Sequence, residues 1–152
     1  MLNFIKQLVG INGVLLGKIR AVQAFDEALA LRDDHKYKDA IPLLVESAEL
    51  GNERAMSILG AAYLMGEGTL ENGREAVRWL EKSIELGYEP SISVLGMAYA
   101  TGKASVRIDI AKATEMLTYA AERGDEQSAR MLSMIEKGEG MFRHLKRNPR
   151  RR

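Results

Sequence analysis

Three segments of the chain repeat one spacing of apolar positions. Ala40, Leu43, Leu44, Ser47 and Ala48 fall at i, i+3, i+4, i+7 and i+8, a single stripe along a helix. Ala76, Trp79, Leu80, Ser83 and Ile84 repeat the spacing, and so do Ala113, Met116, Leu117, Ala120 and Ala121. Each run stops at a glycine (Gly51, Gly87, Gly124). Glycine enters the left-handed conformation at little cost, which suits the residue just past a helix end. The pattern predicts three helices with the same buried face and the same stop.

A second set of stripes precedes the last two of these helices. Ala55, Leu59, Ala62 and Tyr63 form one, and Ser91, Leu95, Ala98 and Tyr99 the other. Gly60 and Gly96 lie inside these helices, where glycine costs about 0.5–1 kcal/mol relative to alanine. That cost predicts a neighbouring helix crossing closely there. The helices break at Gly66 and Gly102, and short loops lead to Asn72 and Asp109, residue types that cap helix N-termini. Glu75, three residues after Asn72, suggests a capping box. Leu59 and Leu95 stand 36 residues apart, Ala76 and Ala113 stand 37 apart, and a fixed period in this range signals stacked repeats.

The order of residues from Ala55 to Gly124 resembles the Sel-one-like repeat (SLR) family, relatives of the tetratricopeptide repeats. The resemblance rests on Leu59-Gly60, Tyr63, Gly66-Glu67-Gly68, Leu70, Asn72, Glu75-Ala76 and Trp79 in copy one. In copy two it rests on Leu95-Gly96, Tyr99, Gly102, Val106, Asp109 and Lys112-Ala113. Copy two departs at Ala104, where the second loop glycine would be, and at Met116, where the late aromatic would be. Asp125–Gly138 is similar to the first helix of a further copy but has Ser133 in place of the helix glycine and Glu136 in place of the tyrosine. The resemblance implies an all-α fold, an α/α superhelical solenoid of stacked helix–turn–helix repeats. It also implies a protein that binds other proteins and carries no active site.

The expected organisation is one solenoid domain over residues 1–140. It comprises an N-terminal capping helix (1–20), a tetratricopeptide-like unit (21–52), two SLR units (53–88 and 89–124) and a final helix (125–138), with a basic tail at 141–152. In the tetratricopeptide-like unit the link Arg32–Tyr37 lacks the later loop glycines, and Pro42 falls near the start of a helix, where proline is tolerated. The N-terminal segment carries an apolar stripe (Phe4, Leu8, Ile11, Leu15, Ile19, Val22) beside a stripe of small residues (Gly10, Gly13, Gly17, Ala21, Ala24, Ala28). Lys6, Gln7 and Asn12 interrupt the apolar run and argue against a cleaved leader, and its charges argue against a spanning helix. The expected role is a cap whose glycines allow close packing on the first repeat. A helix that lies on a membrane surface or binds a partner is the alternative.

Charge divides the chain. Six of the 22 basic residues lie in Met141–Arg152 without an acid, so residues 1–140 carry 16 basic against 21 acidic side chains. A basic tail can attract nucleic acid or an anionic membrane, but Phe142 is the one stacking aromatic there. With no cysteine, disulfides and thiolate chemistry are excluded. The two histidines, His35 and His144, are too few and too far apart for a metal site or a catalytic dyad. No cofactor is expected, and the residues argue against an enzyme.

One helix of each pair in a solenoid lines an extended concave face, and the resemblance implies that it is the first helix. The positions outside its core stripe are the candidate partner-binding residues: Met56, Ser57, Ala61, Leu64 and Met65 in copy one, and Ile92, Ser93, Met97, Ala100 and Thr101 in copy two. Arg130, Met134 and Lys137 extend the set in the final helix. A competing reading buries Met56, Met97 and Met134 against the N-terminal helix or the tail. The expected function is a cytoplasmic, non-catalytic protein that holds a protein partner, either as an adaptor or as an immunity protein neutralising a cognate bacterial toxin. The alternative is association with nucleic acid or an anionic membrane through the basic tail.

Overall fold

The computed structural model describes the backbone from Leu2 to Arg143, and side chains over that span except at residues 2–9, 11 and 141. It contains α1 (Leu2–Asp33), α2 (Tyr37–Glu49), α3 (Glu53–Met65), α4 (Gly73–Glu85), α5 (Pro90–Thr101), α6 (Ile110–Glu122) and α7 (Glu126–Lys137). Short 3₁₀ turns lie at Lys103–Ser105 and Gly140–Phe142, and no strand occurs among the described residues. The helices form two compact units, one ending at Tyr88 and the other starting at Glu89.

In the first unit α1 pairs with α2, α3 pairs with α4, and α2 lies against α3. The predicted stripes form its core, where Ala40, Leu44, Ala48, Ala55, Leu59 and Trp79 meet Phe25 and Ala28 of α1. The second unit repeats the pair as α5 and α6, with α7 packed on α6. The close crossings predicted from the helix glycines are present. A Cβ on Gly60 would lie 2.6 Å from Leu80 Cγ, and one on Gly96 would lie 3.1 Å from Leu117 Cγ.

The helix ends also follow the sequence. Gly51, Gly87 and Gly124 have φ of +92°, +88° and +92°. In each case the next residue's N–H closes back onto the helix, as in Tyr88 N–H to Ser83 O at 3.0 Å, which satisfies carbonyls that would otherwise lack partners. Asn72 Oδ1 accepts from Glu75 N–H and Asp109 Oδ1 from Lys112 N–H. The capping box does not form. Asn72 N–H donates to Tyr63 O at 2.9 Å, and the Glu75 carboxylate turns to Arg78 instead.

Three boundaries differ from the sequence reading. The capping helix and the first helix of the tetratricopeptide-like unit are one helix, with no proline to interrupt residues 2–33. Its glycines do not pack on the first repeat as expected: Gly10 and Gly13 meet nothing within 4 Å among the described residues, and Gly17 meets Leu50 at 3.9 Å. α2 ends at Glu49 and is too short to reach further up α1. Pro42, placed near the start of α2, is its sixth residue.

The third difference is at the C-terminal end. Gly138-Glu139-Gly140 repeats Gly66-Glu67-Gly68 at twice the 36-residue step, which puts Phe142 at the position of Leu70 and Val106. The repeat therefore extends through Phe142, which is 1% exposed and belongs to the core cluster of Ala100, Ala113 and Leu117. The same position in the first copy is open, with Leu70 86% exposed. The tail beyond it, His144–Arg152, lies outside the described residues.

The loop glycines generate a pair of opposite expectations. A Cβ on Gly68 would lie 2.5 Å from the Tyr37 carbonyl carbon and oxygen, at a φ of +75°. Ala104, its counterpart, holds a left-handed φ of +55° with a side chain already present. Gly68→Ala is expected to lower stability by about 2 kcal/mol or more, and Ala104→Gly to raise it by about 1 kcal/mol. Urea unfolding midpoints moving in the same direction for both would contradict this account. Phe142→Ala should cost about 3 kcal/mol, whereas Leu70→Ala at the equivalent position should cost less than about 0.5 kcal/mol, by the same measurement.

Candidate functional site

Within each unit the first helix of a pair is flanked on more than one side, and this decides which candidate residues reach solvent. α3 lies between α2 and α4, and its N-terminal half meets α1 through Met56 and Phe25. Met56, Ser57 and Leu64 are therefore buried. Met56 shares its core cluster with Phe25 and Ala28, which lie beyond the 1–20 segment of the competing reading. Ala61 is half-buried, and Met65, at the end of α3, is well exposed.

In the second unit Ala100 is buried in the same cluster as Phe142, so it too is withdrawn from any partner surface. Ile92, Ser93, Met97 and Thr101 are half-buried along α5. Two of their hydroxyls are engaged locally: Ser93 Oγ donates to Pro90 O at 3.0 Å and Thr101 Oγ1 to Met97 O at 2.8 Å. On α7, Arg130, Met134 and Lys137 are exposed. Of the thirteen candidates, Met56, Ser57, Leu64 and Ala100 thus drop out. They fall outside the main stripe of an isolated pair but inside the packing of a helix with several neighbours.

Two clefts form at corresponding ends of the pairs. The first, of about 580 Å³, lies between α1 and the α2–α3 turn. Val22, Phe25 and Leu50 make its apolar part, and Lys18, Asp26, Glu53 and Arg54 its charged rim. The Arg54 guanidinium stacks 5.1 Å from the centre of the Phe25 ring. The second, of about 400 Å³, lies in the second unit among Glu89, Pro90, Ser93, Tyr119, Arg123 and Asp125. There the Tyr119 hydroxyl donates to Glu89 Oε1 at 2.9 Å, and Arg123 covers the Tyr119 ring at 3.5 Å. Ser47 and Ser83 in the first unit donate to Ala21 O and Glu53 O, locking the second helix of each pair to the first. Ala120 takes the corresponding place in the second unit, and there the Tyr119–Glu89 pair links α6 to the start of α5.

The perturbed ionisable groups serve these locks. The hydrogen bond from Arg20, bidentate to Glu46 at 2.6 and 2.7 Å, holds the Glu46 carboxyl below its ordinary range and raises Arg20. The hydrogen bond to Glu89 raises the Tyr119 hydroxyl, and the Ser128 hydroxyl lowers Asp125. All of these join helix to helix or cap a helix end. Among the described residues no group of three or more His, Asp or Glu side chains could hold a metal ion. His35 is exposed and bonds Tyr37 through Nδ1 at 3.0 Å, while His144 lies outside the described residues.

Sequence reasoning missed two features of these surfaces. Tyr119 was invisible because its partner Glu89 is 30 residues away. The docking of Phe142 was legible in principle, since Gly138-x-Gly140 repeats the loop glycine pair.

Comparison with known proteins agrees with this architecture. The family model of the Sel1 repeat matches twice, at residues 53–88 and 91–125. A protective antigen of uropathogenic Escherichia coli, c5321, which displays an SLR fold, aligns with a TM-score of 0.62 and 29% identity. The alignment covers 68% of this chain and 22% of the antigen. A Sel1 repeat protein from Oxalobacter formigenes aligns with a TM-score of 0.63 and 22% identity, over 73% of this chain and 45% of its own. Helicobacter pylori cysteine-rich protein B aligns with a TM-score of 0.52 and 22% identity, over 62% and 70%. This chain thus spans less than half the length of the first two. No curated protein matches it. Sel1 repeats generally mediate protein–protein interaction. The two stretches that match the Sel1 repeat are in register with the helix pairs α3–α4 and α5–α6, and the fold is of the α/α solenoid class.

Proposed function

We propose that the chain is a non-catalytic, cytoplasmic binding module whose first helices present, in each unit by itself, adaptable side chains to a protein partner. One observation carries this reading. After the core is satisfied, the first helices still expose or half-expose an apolar set rich in methionine, namely Met65 in the first unit and Ile92, Met97 and Met134 in the second. Methionine's three rotatable bonds and polarisable sulfur let it conform to an irregular partner, and Arg130 and Lys137 add charge beside Met134. Single exposed apolar residues need no explanation, but a set rich in methionine is of the type that marks an interface.

An adaptor and an immunity protein would use this surface in the same way and differ in strength. An immunity protein holds its toxin at about nanomolar Kd or tighter, whereas an adaptor exchanges partners at about micromolar Kd. The expected result is that Met65→Glu and Met134→Glu each weaken capture of a stoichiometric protein partner by about tenfold or more, since carrying a charge into an apolar contact is costly. Leu86→Glu, exposed on the second helix of its pair, should leave capture unchanged. Circular dichroism checks the fold of each variant. If all three variants retain the partner equally, the proposed surface is wrong.

A further inference from the structure

The first half of α1 poses a problem that the repeat packing does not answer. Val14, Leu15, Leu16, Ile19 and Val22 are between 47% and 64% exposed. Pairing with α2 begins at Gly17 and Arg20, where Leu50 and Glu46 are met, and upstream of it Gly10 and Gly13 have no neighbour among the described residues. The helix therefore projects beyond its hairpin with Val14, Leu15 and Leu16 uncovered, and Ile19 and Val22 continue this exposed apolar surface into the first paired turns.

The breadth of the uncovered surface narrows the choice of occupant. At about 100° per residue, these five side chains span an arc of roughly 200°. A helix docking in a groove or zipper covers a stripe of roughly 100°. Val14, Leu15 and Leu16 are consecutive and point in three directions, so one partner helix would leave at least one of them in water. An apolar medium that wraps the helix covers all five.

Charge selects the kind of medium. From Met1 to Phe25 the sequence holds Lys6, Lys18 and Arg20 and no carboxylate, although residues 1–140 as a whole are acidic. Arg20 is engaged by Glu46, while Lys18 is exposed among the apolar residues. Two copies pairing in parallel through residues 1–25 would set Lys6 and Lys18 against their own counterparts. An anionic surface would instead attract it. No helix is long and apolar enough to cross a membrane among the described residues, so the segment would lie within the headgroup region.

We infer that the projecting half of α1 is a membrane-surface anchor. Leu15, Ile19 and Val22, with Val14 and Leu16 beside them, enter the acyl boundary of an anionic bilayer, and Lys18 extends to the lipid phosphates. This site uses residues separate from the proposed partner surface and does not rest on it.

Co-sedimentation of the full chain with vesicles tests the inference, comparing phosphatidylcholine alone with equal parts phosphatidylcholine and phosphatidylglycerol. The chain should bind the anionic vesicles more strongly, and added salt should weaken that preference. Leu15→Glu with Ile19→Glu should reduce binding by about tenfold or more. Lys18→Gln should reduce only the anionic preference, by about fivefold. All three positions are exposed, so an unchanged helical spectrum and melting curve are expected. Met65→Glu should leave vesicle binding intact, which separates failure of this inference from failure of the partner surface. Three results would overturn it: no vesicle binding; binding that survives Leu15→Glu with Ile19→Glu but is lost when residues 144–152 are removed; or a concentration-dependent dimer, seen by sedimentation velocity and abolished by the same double variant, without lipid binding.

Discussion

Each helical hairpin depends on how closely its two helices cross. In the Sel1 repeats the crossing point is a glycine with a leucine set against it, Gly60 under Leu80 and Gly96 under Leu117. A β-carbon on Gly60 would overlap the leucine side chain, so the approach is available only to a residue with none. The approach brings the two alanine- and leucine-rich stripes into register, and burial of those stripes is the main favourable term in a fold with no disulfide. The 0.5–1 kcal/mol that a helical glycine typically costs is small beside the burial it permits.

Everything else in the repeat holds that crossing in place. Left-handed residues end the helices where the chain must turn, and the tyrosine carbonyl of the first helix accepts the N–H of the residue that caps the second, at 2.9 Å for Tyr63 and 3.0 Å for Tyr99. Buried serines tie second helix to first in the first unit. The loop after α3 is pressed so tightly on the start of α2 that Gly68 has no room for a side chain, and Glu67 meets Arg32 at 2.8 Å beside it. With these contacts satisfied internally, the surface left for function is what the first helices expose, together with the half of α1 that no second helix reaches.

That division explains the character of both proposals. Among the described residues the shifted ionisable groups are spent on helix-to-helix locks or on a helix cap. The surfaces that remain are apolar with scattered cations, which suits recognition. They differ in breadth: narrow sets on α3, α5 and α7 fit a protein, whereas the wide arc on α1 fits a medium.

Period and residue type were enough to determine the helix pairs, their glycine stops, the Asn72 and Asp109 caps and the close crossings, because each is fixed by neighbours within a turn or two or by exact repetition. The resemblance to the Sel1 repeat followed from the same residues. Only the tertiary structure decided which candidates are available to a partner. Met56, Ser57, Leu64 and Ala100 lie off the main stripe, yet they are buried because α1, flanking helices or Phe142 reach them from elsewhere in the chain. It also decided that α1 is unbroken and half uncovered, since the length of α2, and not any residue in α1, sets where pairing stops. Local sequence specifies the elements; burial of a given side chain is set by residues tens of positions away, and a stripe on one helix cannot report them.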